Sequence, residues 1–180
     1  MNKIILLGFL VIFLQTGKFA SAKICGETFV RIAEGKAYYI FMEEKSWMEA
    51  YSTCKSYNLT LASPKRHKDN DELYKVLRDL NLRDKNFWIG GYRSFKELGV
   101  TIWRWTVDNE EIKEFDWADE EPNYYTKDEQ VIELRSYSAF PEVPPRKWND
   151  QHVDTKLFYI CEYTKNPAID LDFPLWLLND

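Results

Sequence analysis

Apolar positions fall into helical registers early in the chain and into two-residue alternations late. Ser46-Trp47-Met48-Glu49 carries the serine and glutamate of a capping box. Behind it Trp47, Ala50, Tyr51 and Cys54 share one helix face. Leu73, Val76, Leu77 and Leu80 keep the same spacing, which predicts a second helix from about Asn70 to Leu80, with Asn70 or Asp71 as its cap. Short β-prone runs follow at Phe87–Ile89, Thr101–Thr106, Val131–Leu134 and Phe158–Tyr163, and an earlier one at Ala37–Phe41. Helices first and strands later predict an α+β fold, not an alternating α/β sheet. The connections over 108–129 and 136–146 approach or exceed the length of about 12–15 residues beyond which structureless loops are functional or disordered. Acids and amides concentrate in the first.

The two ends of the chain read differently. Met1-Asn2-Lys3, the apolar run Ile4–Leu14 and the small-residue triplet Ala20-Ser21-Ala22 form the pattern of a secretory signal peptide spanning residues 1–22. The apolar run is well short of the roughly 20 residues of a membrane span. A secreted protein, with cysteines free to pair, is the expectation. At the other end, Pro174 lies among Leu171, Phe173, Leu175, Trp176, Leu177 and Leu178. The segment is too short for a glycolipid-anchor signal. A tail over 164–180, docking on the domain or on a partner chain, is expected.

Removing the leader takes away Lys3 and Lys18 but no acid, so the formal charge moves from −5 to −7. An acidic chain without a basic cluster is not built for nucleic acid or an anionic membrane. One domain with a proper core fits the length.

Calcium takes about 6–8 oxygens from carboxylates, amides, backbone and water. Glu121, Asn123, Glu129, Asn149 and Asp150 supply three carboxylates and two amides in this acid-rich region. Their frame resembles the C-type lectin domain. Trp88-Ile89-Gly90-Gly91 resembles its central strand, Trp117 the tryptophan before its Glu-Pro-Asn motif, and Trp148-Asn149-Asp150 its Trp-Asn-Asp motif. The resemblance covers about Cys25 to Tyr163 and implies a domain over 23–163, with two helices on short antiparallel sheets and long calcium loops. It implies one calcium on Glu121, Asn123, Glu129, Asn149 and Asp150, with the Asp150 carbonyl added. The same side chains would hold two sugar hydroxyls. The acid-then-amide order of Glu121 and Asn123 implies equatorial 3,4-diols of the mannose, fucose and N-acetylglucosamine type. Pro122 in such motifs is usually cis. Cys54 and Cys161 match the disulfide that ties the domain shut.

Departures from the family pattern carry further expectations. A second calcium found in many members would need acids near Arg93, Glu97, Tyr124 and Gln130, where only Glu97 remains acidic, so no auxiliary calcium is expected. The family's second disulfide falls on Val131 and Val153, leaving the calcium loops looser without metal. Cys25 has no partner in the pattern and is either an interchain bridge, to a second copy or a sister lectin, or a capped thiol. Asn58-Leu59-Thr60 is a glycosylation sequon. Tyr124 and Tyr125 either stack on a sugar or pack, and the proline-rich stretch 137–147 either extends the sugar contacts or is plain surface.

The leading reading is a secreted calcium-dependent lectin, similar to small invertebrate lectins of innate immunity, that recognises microbial or self glycans. The alternative is a protein-binding module on the same fold. Catalysis is not expected. Carboxylates turned on a cation have lowered pKa values, opposite to a glycosidase acid, and His67 and His152 form no zinc motif.

Overall fold

The computed structural model describes residues 28–33, 36–96, 99–136 and 147–163. The leader, Cys25, Glu97, the stretch 137–146 and the tail 164–180 lie outside the described residues.

The order of elements is β1 (Thr28–Ala33), β2 (Lys36–Lys45), α1 (Trp47–Ser56), β3 (Thr60–Leu61), α2 (His67–Asp79), β4 (Phe87–Phe95), β5 (Thr101–Trp105), β6 (Glu129–Leu134), β7 (Trp148–His152) and β8 (Leu157–Tyr163). The α+β expectation holds. The strands join in one sheet, ordered β1-β2-β8-β4-β6-β7, with β3 on β8 and β5 on β4. Its pairs are antiparallel except β4 with β8, which run parallel at Phe87↔Phe158 and Trp88↔Tyr159.

The first helix forms as its capping box predicts. The Glu49 carboxylate accepts from the Ser46 backbone N–H at 2.8 Å, and Ser46 Oγ accepts from the Glu49 N–H at 3.4 Å. The second helix starts earlier than its apolar register implies, so neither Asn70 nor Asp71 is its cap. Asp69 reaches back to the Arg66 N–H at 3.2 Å and satisfies the end from inside the first turn. Asn70, freed from capping, is buried, and its Oδ1 accepts from Trp148 Nε1 at 3.1 Å.

Two aromatic-rich cores lie on the two faces of the sheet. One gathers Tyr39, Phe41, Trp47, Cys54, Trp88, Tyr159 and Cys161 under α1. Here the expected disulfide joins Cys54 to Cys161, with Cα atoms 5.5 Å apart. Val131 is buried in this cluster and Val153 packs against it, so both valines share the cluster's apolar surface. The other core gathers Leu73, Leu77, Ile89, Trp103, Trp105, Ile132 and Trp148 against α2. At Gly90 a Cβ would lie 2.8 Å from Thr106 Oγ1 and 2.9 Å from Leu61 O, so only glycine lets these backbones approach.

Candidate functional site

Tryptophans set the frame of the site. Trp117 meets Trp148 edge-on at 5.8 Å and Trp103 at 5.0 Å, while Trp148 meets Trp105 at 5.6 Å. Such edge-to-face packing fixes ring orientation as well as burying area. The backbone follows the rings. Trp148 N–H donates to Asp116 O at 2.7 Å and Ala118 N–H to Trp148 O at 2.8 Å, a parallel bridge of 117 with 148. This bridge delivers the loop 118–128 onto the end of β7, where Asn149 and Asp150 lie.

The Glu121–Pro122 peptide is cis, as expected for the motif. Past it the backbone is tied down by acids. Asp150, almost wholly buried, accepts from Asn123 N–H through Oδ1 and from Tyr124 N–H through Oδ2, each at 3.1 Å. Glu121 Oε2 also accepts from Asn123 N–H at 3.1 Å, and Asn123 Oδ1 accepts from Tyr125 N–H at 2.7 Å. Glu129, at the start of β6, accepts from Thr126 N–H at 3.1 Å and closes the loop on itself.

Glu121 Oε2 and Asp150 Oδ1 both accept from the Asn123 N–H, which brings the two carboxylates close together. Burial, and then Asp150, push the Glu121 carboxyl above its ordinary pKa. Two carboxylates held side by side out of water call for a cation or a shared proton. Glu121 Oε1 has one partial answer, Arg135 Nη1 at 3.4 Å.

Asn149 shows a feature that the sequence reading missed. Glu133 is buried in β6 opposite Asn149, and its Oε2 accepts from Asn149 Nδ2 at 2.9 Å. Donating its NH₂ leaves the amide oxygen of Asn149 for another partner, the usual way an outer carboxylate orients a metal ligand. Glu133 lies within the run Val131–Leu134 read as β-prone, and only the pairing of β6 with β7 places it opposite Asn149.

The expected ligands are thus brought together unequally. Glu121, Asn123 and Asp150 share hydrogen bonds, Asn149 follows through β7, and Glu129 is turned to its own loop. Among the described residues no three His, Cys, Asp or Glu side chains converge closely enough to form a metal cluster alone. The donor set fits a cation that takes oxygens from carboxylates, amides and backbone together, as calcium does.

The residues of the expected second calcium position are differently engaged. Arg93 lies over the Tyr124 ring at 5.2 Å and the Phe95 ring at 5.9 Å, and it donates to Lys127 O. Gln130 Nε2 donates to the same carbonyl at 3.3 Å. Tyr124 is partly exposed and Tyr125 almost fully so. His152 accepts from Asp154 N–H in the turn after β7, and His67 Nδ1 bonds Asp116 at 2.8 Å, so neither faces the Glu121–Asp150 pair. Asn58 is exposed at the end of α1 with φ of 59°.

The family model for the "Lectin C-type domain" matches residues 43–163. The chain belongs to the C-type lectin domain family. A relative named "C-type Lectin CRL", from Crotalus ruber ruber, is 30% identical over 130 residues, covering 71% of this chain and 90% of the relative. Among solved structures, the mouse scavenger receptor C-type lectin carbohydrate-recognition domain superposes with a TM-score of 0.61 at 20% identity. That match covers 76% of this chain and 94% of the other. A structure titled "SPL-1 - GlcNAc complex" gives 0.59 at 25% identity, over 79% and 97%. Among the described residues no helix is long and apolar enough to cross a membrane.

Proposed function

We propose that this chain is a secreted, calcium-dependent lectin for glycans presenting equatorial 3,4-diols, of the mannose, fucose and N-acetylglucosamine type. The observation that carries this reading is the pair of carboxylates, Glu121 and buried Asp150, that both accept from the Asn123 N–H. Calcium would be held by Glu121, Asn123, Glu129, Asn149 and Asp150, and would supply a Lewis-acidic centre for neighbouring hydroxyls. The chain's own part is orientation. Asp150 and Glu121 hold the Asn123 backbone, and Glu133 spends the NH₂ of Asn149 so that its oxygen stays available. The carboxylates accept from hydroxyl protons and the Asn123 amide NH₂ can donate to a hydroxyl oxygen. The role is binding without chemistry, in recognition of microbial or self glycans. A leader over residues 1–22 and a glycan on Asn58 complete the reading.

The test is retention on a mannan or N-acetylglucosamine column with calcium and release by EDTA. The double variant Glu121→Gln/Asn123→Asp should lose retention. If it keeps mannan binding, the arrangement proposed for the diol is wrong. A second reading is a protein-binding module, for example a disulfide-linked dimer subunit through Cys25. It is favoured by an open, mainly apolar groove of about 270 Å³ lined by Trp47, Met48, Tyr51, Tyr92, Thr106 and Asn109. Failure of every calcium-loaded sugar column, with an intact fold, would favour it.

A further inference from the structure

The open end of the β6–β7 pair carries two cations. Arg135 N–H donates to Lys147 O at 3.0 Å, so the two residues leave the sheet together. Their side chains then part. Lys147 turns its ammonium toward Asp116, 3.7 Å away, while Arg135 reaches Glu121. The Arg135 side chain is 50% exposed, against 7% for Glu121. Its contact with Glu121, at 3.4 Å, is longer than a charge-assisted bond of about 2.7–2.9 Å and is not the two-pronged pairing that arginine and carboxylate prefer. Half of the Arg135 side chain is therefore open to solvent, beside the carboxylate that the proposed diol would approach.

We infer that Arg135 is a specificity residue that selects sugars bearing an anionic group, sulfate or carboxylate, on a carbon close to the coordinating diol. The inference rests on the sugar-binding reading of this site. Glu121, Glu129, Asp150 and the outer Glu133 against one dication leave two negative charges, and Arg135 offsets one of them where an arriving anion would meet it. The acidic balance of the chain, −5 overall, offers anions no general attraction. The attraction for an anion is therefore local to this planar donor, which suits sulfate and carboxylate geometry.

The experiment uses the full chain at saturating calcium. Two sugar pairs keep the 3- and 4-hydroxyls and differ in charge: N-acetylglucosamine against its 6-sulfate, and glucose against glucuronate. The protein should favour the charged member by roughly five- to tenfold, the worth of one part-exposed charge-assisted bond. The preference should shrink with added salt. In Arg135→Gln the charged-to-neutral ratio should fall to about one, and Arg135→Lys should keep part of it. A gain in one pair only identifies sulfate or carboxylate as the group read. In the unsubstituted protein, the Arg135 guanidinium NMR signals should move with the 6-sulfate and not with the neutral sugar. Equal ratios before and after substitution, or equal weakening of both members, would overturn the inference and leave Arg135 as a counter-ion of Glu121. Absence of any calcium-dependent binding, even to neutral sugar, overturns the function and this inference with it.

Discussion

The half of the domain around α1 and the half that carries the proposed site are secured in different ways. Around α1, the Cys54–Cys161 bridge closes a separation of 107 residues, and a full capping box starts the helix. Phe41 stacks on Tyr159 at 4.7 Å. The site half has the Trp103, Trp105, Trp117 and Trp148 frame beneath it. The loop itself is held by single bonds from backbone N–H groups to Glu121, Glu129 and Asp150. Two valines stand where the family's second disulfide would fall. The difference teaches that an architecture can be closed covalently on one side while the binding side depends on the groups its acids hold.

The largest effect expected from breaking this contrast is on the clamped side. Cys54→Ala/Cys161→Ala should cost about 5 kcal/mol in urea unfolding, the loop-entropy estimate for so long a closure. A loss below about 1 kcal/mol would show that aromatic packing alone secures α1. Installing the missing clamp is the converse. Val131→Cys/Val153→Cys, if it oxidises, should add about 3 kcal/mol. It should also narrow the calcium-dependent difference in hydrogen exchange over Glu121–Glu129 and Trp148–His152. Exchange equally slow with and without calcium in the unsubstituted protein would mean that the loop needs neither clamp nor metal.

A smaller effect should come from the outer carboxylate. Glu133→Gln should lower calcium affinity about tenfold, as loss of an orienting partner does, with unfolding in EDTA changed far less. Calcium titration followed by calorimetry reads this directly, and unchanged affinity would leave Glu133 a purely structural acid.

The mildest effects are in pH. Because the metal-free Glu121 carboxyl is raised by burial and by Asp150, the folded state binds that proton more tightly than the unfolded chain. Its contribution to metal-free stability rises as pH falls through the folded pKa, and calcium affinity should fall over the same window, starting above the ordinary glutamate value. Glu49 behaves oppositely. Lys156 and then Ser46 hold it down to about 2, so its contribution is present above the unfolded pKa and is lost as pH falls toward that value. His67, raised by its bond to Asp116, adds stability below its unfolded pKa that is lost as pH rises through its folded one. Thermal unfolding of Glu121→Gln, Glu49→Gln and His67→Gln across pH 2–8 should separate the three signs.

Local chemistry decided much of this protein by itself. Ser46 and Glu49 carry their helix start in four residues, and the spacing of Leu73, Val76 and Leu77 marks a helix face wherever that helix begins. The motifs at Glu121–Asn123 and Trp148–Asp150 pointed to the candidate site through their resemblance to the family pattern. Tertiary structure decided the rest. The strand β7 was not legible, because Asn149 and Asp150 have poor strand propensity and adopt it through pairing with Ile132 and Glu133. The early start of α2 was hidden because Asp69 caps it from inside, which releases Asn70 to bond Trp148 across 78 positions. The pairing of Glu121 with Asp150, the orienting bond of Glu133 and the exposed guanidinium of Arg135 all depend on groups far apart in sequence. Such proximities are set by packing, and no local pattern encodes them.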